Sequence, residues 1–193
     1  GLSALLSLLV GFGLVLLLEH LDDTLMSKEE VDRLGDGIPF LGVIRSIRPG
    51  AKAAARAAAS GSRGNTHQKD LFAVEQPKST VAEDFRGVRT ALSFGEGLDD
   101  DRVFLVTSSS PKEGKTTVTI NLATVMAYSG LKTLLIDADL RKPRIHKSFG
   151  ISNEVGLTNV IIGRGTPADC VRTPNIENLE NLDLLTSGPI PPN

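Results

Sequence analysis

The chain has 193 residues, enough for one ordinary domain with appendages. Charge is nearly balanced, at 21 basic against 23 acidic residues, so no global attraction to nucleic acid is implied, and with seven Phe, one Tyr and no Trp there are few platforms for base stacking. The single cysteine, Cys170, excludes a disulfide framework, argues against a cysteine metal site and suits a reducing cytoplasm.

No Met opens the sequence, its first residues already belong to an apolar run, and the closing PIPPN reads as a loop. Both ends are therefore expected to be truncations. Residues 1–18, GLSALLSLLVGFGLVLLL, carry no charge. As a helix they would rise roughly 27 Å, against a hydrocarbon core of ~30 Å, so a transmembrane helix is expected. A buried core helix is the rival reading. A signal peptide fits less well, because no basic segment precedes the run and no clean small-residue cleavage site follows.

Residues 19–49 are expected to form a juxtamembrane segment. Ser27 and Glu30 fit a capping box, opening a short helix to about Leu34 that Gly35 would end. PFLGVI reads as a short strand. From Asp36 there is no acidic residue until Asp70, while Arg45, Arg48, Lys52, Arg56, Arg63 and Lys69 fall between. Basic residues beyond a membrane span place that side in the cytoplasm. The simple composition of residues 50–77 suggests a flexible basic linker, either solvated or held to anionic lipid at about 1 kcal/mol per basic residue.

From residue 78 to 193 the pattern is that of a folded α/β domain. Thr80 and Glu83 fit a second capping box, before a helix through VAEDFRGVRTALSF. RVFLVTS (102–108) has the pattern of a buried strand, a helix follows from Gly114 to Ser129, and Gly130 closes it. KTLLIDAD (132–139) and NLDLLTSG (181–188) read as further strands, with a short helix at GLTNVIIG. Strands alternating with helices imply a doubly wound parallel sheet of the P-loop NTPase type.

The strand–loop–helix at 102–129 contains SSSPKEGKTT, whose Gly114-Lys115-Thr116 matches the end of a Walker A motif. Loop N–H groups and the helix N-terminus would cradle phosphates; Gly114 allows close approach, Lys115 reaches the β/γ-phosphates, and the Thr116 hydroxyl takes a Mg²⁺ position. Ser109 stands where the first Walker glycine would be. A second constellation, LLIDADLR, places Asp137 and Asp139 at a strand end, on one side of the extended chain. They could hold a metal's water shell or accept a proton from an attacking hydroxyl, or they could simply cap a turn.

SSSPKEGKTT followed by LLIDADLRKPR resembles the Walker A and Walker A′ pair of bacterial tyrosine kinases, the cytoplasmic part of polysaccharide co-polymerases of the chain-length-determinant family. GLTNVIIG and NLDLLTSGPIPPN are similar to later segments of that family, and the apolar run with EHLDDTLMSKEEVDRL is similar to the end of its chain-length-determinant region. Ser109 also fits, since these kinases commonly lack the first Walker glycine. The resemblance implies ATP and Mg²⁺ as cofactors. It implies catalytic roles for Lys115, Asp137 and Asp139, and metal ligation by Thr116, Asp137 and Asp139. Nucleotide contacts would come from Ser109, Ser110, Pro111, Lys112, Glu113, Gly114, Lys115, Thr116, Thr117 and Arg141.

The family's E-x-x-R-x-x-R signature, which drives ring-like homo-oligomers, matches Glu83, Arg86 and Arg89; on spacing alone these could equally be a cap and a solvated ion pair. The expected partners are other copies of the chain, polysaccharide export machinery, a cognate phosphatase and anionic lipid, with no nucleic acid. The expected place is the bacterial inner or plasma membrane, with the P-loop domain in the cytoplasm. The family's Walker B aspartate and its phosphorylated tyrosine cluster would lie beyond Asn193, so this stretch alone is expected to turn over little. Tyr128, inside the helix after the P-loop, reads as packing. Two rivals remain. One is a structural co-polymerase without kinase activity. The other is a partition or septum-site ATPase, whose signature lysine would fall at Ser110, whereas Lys112 comes two residues later.

Overall fold

In the computed structural model, residues 2–20, 39–46, 70–94 and 103–189 are described. The chain divides into two compact units, Gly1–Phe40 and Leu41–Asn193. In the first, the uncharged run forms helix α1, Leu2–His20, of 19 residues. It rises about 28 Å, slightly short of a ~30 Å hydrocarbon core, and it ends in the polar Glu19 and His20. Among the described residues no helix is long and apolar enough to cross a membrane. The features expected at Ser27, Glu30 and Gly35, and the basic residues from Arg48 to Lys69, lie outside the described residues.

The second unit contains α2 (Phe72–Glu75), α3 (Thr80–Ser93), α4 (Lys115–Tyr128), β1 (Thr133–Ile136), α5 (Ile145–Phe149), α6 (Leu157–Ile161), α7 (Pro167–Cys170) and β2 (Leu182–Leu185). β1 and β2 pair in parallel, with Leu135 opposite Leu184, so the helices between them form a crossover connection. Arg172 makes an antiparallel bridge to Leu184 on the other side of β2.

Helix α4 is the centre of the packing. Ile120, Ala123 and Ala127 recur at helical spacing and pack with Leu71, Leu135, Ile145, Leu179, Leu182 and Leu184. Leu122 and Val125 project elsewhere on the helix and pack with Ala73, Phe85 and Val88, so α4 is wedged between the sheet and α3. Phe85 is fully buried, a contribution of roughly 1.5–3 kcal/mol over leaving the ring in water. Within α4 the Thr124 hydroxyl is satisfied locally, donating to the Ile120 carbonyl at 2.8 Å. Gly130, with φ +88°, ends the helix as its position suggested.

Several expectations need correction. RVFLVTS does not join the sheet: among the described residues, 103–108 pair with no strand, and Val103 is 97% exposed. An apolar run is buried as a strand only where a neighbour supplies both ladder and cover, and β1 takes its described partner from β2 instead. PFLGVI is likewise no strand. There Gly42 has φ +151°, Ile44 packs beside α3, and the Arg45 backbone N–H donates to the Asp84 carboxylate at 3.1 Å. The cap of α3 is Ser79, one residue before the expected Thr80, with its hydroxyl accepting from the Ala82 N–H at 3.2 Å. Residues 70–74, read as linker from composition, are packed, with Leu71 and Ala73 in the core.

Candidate functional site

Gly114 is the residue on which the loop turns into α4. Its φ of +94° lies in the left-handed region, and no atom sits where a β-carbon would point, so the backbone there is open to close approach. No side chain caps α4, which leaves the first N–H groups of a 14-residue helix free of side-chain acceptors, with Lys115 and Thr116 in its first turn. That donor set fits a phosphate. Lys112, also at positive φ (+71°), sharpens the preceding turn.

The loop already holds one anion of its own. The Glu113 carboxylate accepts from the Ser110 backbone N–H at 3.0 Å and from the Ser109 hydroxyl at 2.9 Å. The Ser110 N–H, followed by the Ser109 hydroxyl, holds its carboxyl below the ordinary value of 4.5. Of the candidate loop residues, Ser109, Ser110 and Glu113 are thus engaged with each other, and the Thr117 hydroxyl is given to Asp70 at 3.2 Å. Pro111 and Lys112 are exposed at the tip.

Beyond β1 the two aspartates diverge. Asp137 is 4% exposed and its oxygens accept from the N–H groups of Asp139 (3.2 Å), Arg144 (3.1 Å) and Ile145 (3.1 Å), which caps the start of α5. Asp139 is partly exposed: its Oδ1 accepts from the Lys142 N–H at 3.0 Å and the Arg141 N–H at 3.3 Å. Its Oδ2 lies 3.7 Å from Lys115 Nζ. The Lys142 N–H is the main cause holding the Asp139 carboxyl below its ordinary value, with Arg141 and Lys115 adding to it. The fold therefore brings Lys115 and Asp139 together across two loops and sets Asp137 beneath them. The Arg141 side chain is exposed. Both aspartates cap turns, as one of the two sequence readings allowed. Among the described residues no group of three or more His, Cys, Asp or Glu forms a metal cluster. Thr116 with one exposed carboxylate is a donor set that suits a hydrated Mg²⁺ sharing its shell with phosphate oxygens.

On α3, Glu83 and Arg86 are ion-paired, and Arg86 also donates to the Pro77 carbonyl at 2.8 Å. Arg89 lines a cavity of about 410 Å³ with Phe94 and Leu131. Tyr128, the last residue of α4, is 37% exposed, and partial burial together with the Glu177 charge raises its pKa. Sequence reading missed Asp70, Asn121, Arg144 and Ser148, which form one hydrogen-bonded cluster beside the loop. The one available signal was that Asp70 ends the acid-free stretch.

Residues 104–181 match the CobQ/CobB/MinD/ParA nucleotide binding domain. The chain is 44% identical over 131 residues to the tyrosine-protein kinase YwqD of Bacillus subtilis, covering 68% of this chain and 54% of that protein. It is 40% identical over 123 residues to the putative tyrosine-protein kinase CapB of Staphylococcus aureus, covering 64% and 53%. The solved kinase domain of the Escherichia coli tyrosine kinase ETK superposes with a TM-score of 0.69 at 28% identity, covering 88% of this chain and 63% of that one. The chain thus spans about half the length of these two kinases. It is homologous to bacterial tyrosine-protein kinases and has the P-loop kinase-domain fold.

Proposed function

We propose that this homologue of bacterial tyrosine-protein kinases is the ATP-binding segment of a membrane-anchored tyrosine autokinase that regulates capsular or exopolysaccharide polymerisation and export. The observation that carries the reading is the approach of Lys115 Nζ to Asp139 Oδ2 at 3.7 Å, which joins the Walker A loop to the acidic loop after β1. Bound Mg·ATP would supply the phosphoryl group and the metal's charge. Gly114 leaves room for phosphate at the N-terminus of α4, and Lys115 offers a mobile cation there. Thr116 and Asp139 would face the metal's water shell. Asp137, held by three backbone donors, would fix the acidic loop and bear on proton removal from a tyrosine hydroxyl.

Under the same proposal α1 anchors the chain in the bacterial plasma membrane, and the basic linker meets anionic lipid on the cytoplasmic side. Glu83, Arg86 and Arg89 would contact other copies of the chain in a ring. Export machinery and a phosphatase would be the remaining partners. In full-length protein incubated with Mg·ATP, phosphotyrosine should accumulate, and Asp139→Asn should abolish it. Phosphotyrosine formation that is indifferent to this change would overturn the catalytic assignment.

A second reading, a co-polymerase that uses ATP for assembly alone, is favoured by one observation: both Asp137 oxygens are occupied by the backbone of its own loop. Stoichiometric ATP binding without any phosphotyrosine would select it.

A further inference from the structure

One polar cluster, centred on Asp70, meets the nucleotide reading only at Thr117. Asp70 lies just before α2, and its carboxylate joins two elements distant in sequence. Oδ1 accepts from the Thr117 hydroxyl, in the first turn of α4, at 3.2 Å. Oδ2 accepts from the Ser148 hydroxyl, on α5, at 3.0 Å and faces Arg144 Nη2 at 3.4 Å. The Asp70 carbonyl accepts from Asn121 Nδ2 at 2.6 Å. Asn121 is fully buried; it also donates to the Thr117 carbonyl at 2.8 Å and accepts from the Ala73 N–H at 2.8 Å. With every polar atom of this amide occupied, the cluster is rigid rather than adaptable.

What the cluster connects gives it meaning. α4 carries Lys115 and Thr116 at its start. α5 starts at the N–H groups of Arg144 and Ile145 that hold Asp137, two residues before Asp139. A single carboxylate therefore braces the phosphate-binding helix against the helix that anchors the acidic loop. Groups that orient a metal's ligands from behind commonly control metal affinity without touching the metal.

We infer that Asp70 is a positioning residue for the metal: through Thr117 and Ser148 it sets the spacing between Thr116 and the two loop aspartates, so it governs the gain in nucleotide affinity that Mg²⁺ confers. This rests on the nucleotide reading above.

The test measures ATP affinity of the full-length protein in excess Mg²⁺ and again in chelator. In Asp70→Ala and in Ser148→Ala, the Mg²⁺-dependent gain should fall about tenfold. Affinity in chelator should stay within about twofold of wild type, since the phosphate donors on α4 are untouched. Asp70→Asn keeps the shape and can still bond both hydroxyls, so it should retain most of the gain. Ser148→Ala keeps the question answerable should Asp70→Ala fail to fold. An undiminished Mg²⁺ gain in these variants overturns the inference, and so does an equal loss in both conditions, which is what a merely structural brace produces. Wild-type protein that binds no ATP in either condition overturns the nucleotide reading, and this inference with it.

Discussion

The backbone N–H of Ser110 donates to the Glu113 carboxylate at 3.0 Å, so a donor assigned to phosphate is held by a side chain of the same loop. An incoming phosphate must displace that carboxylate or meet its charge. Glu113→Gln removes the charge while keeping an acceptor. Calorimetric titration should show Mg·ATP binding tightened by about three- to tenfold. Unchanged or weaker binding would show that Glu113 does not compete.

The same pair has a pH signature. The Glu113 carboxyl is held below its ordinary value of 4.5 by the Ser110 N–H and the Ser109 hydroxyl. A carboxyl depressed by folding favours the folded loop above the ordinary value and loses that contribution as pH falls through the depressed one. The loop contacts should thus be complete at neutral pH and dissolve only in the acid range below 4.5. Carbon-detected titration of the Glu113 carboxyl would show this directly; a midpoint at or above 4.5 would contradict the geometry.

Asp137 and Asp139 should separate in stability. Asp137→Ala leaves the N–H groups of Asp139, Arg144 and Ile145 without their acceptor in a buried place and should lower unfolding free energy by about 1–3 kcal/mol. Asp139 is partly exposed, and its Ala variant should cost less than about 1 kcal/mol. Urea denaturation of both variants decides this, and equal losses would refute the division of roles.

Gly156 is a tight point near the end of β2. A β-carbon there would lie 2.3 Å from both the Gly188 nitrogen and the Thr186 oxygen, backbone atoms with little freedom to retreat. Gly156→Ala should destabilise by at least ~2 kcal/mol. Gly165→Ala is the control: its new methyl would meet only Cys170 Sγ at 3.6 Å, and the change should stay within about 0.5 kcal/mol.

Local signals were the ones legible in the sequence. α4, β1, α6 and β2 lie within their predicted ranges, because each joins an apolar pattern to a stop such as Gly130 or Gly163. Lys115 and Asp139 each stood in a local motif, and the fold brings them within 3.7 Å of each other. Features decided by distant partners were hidden. RVFLVTS has a strand's composition, but pairing depends on a neighbour that composition does not name. Asp70 meets Thr117, Arg144 and Ser148 across 47, 74 and 78 positions, and its one local mark, the end of an acid-free stretch, names none of these partners. The choice of Ser79 over Thr80 as cap turned on a shift of one residue, which pattern reading does not resolve.

We propose the turn at Gly114 and the start of α4 as a phosphate cradle served by Lys115. Its most direct test is Mg·ATP binding by the full-length protein carrying Lys115→Ala, beside wild type. Wild type should bind saturably, and the variant should lose at least about tenfold, roughly 1.4 kcal/mol, with the fold intact by circular dichroism. Equal affinity in the two proteins would contradict it.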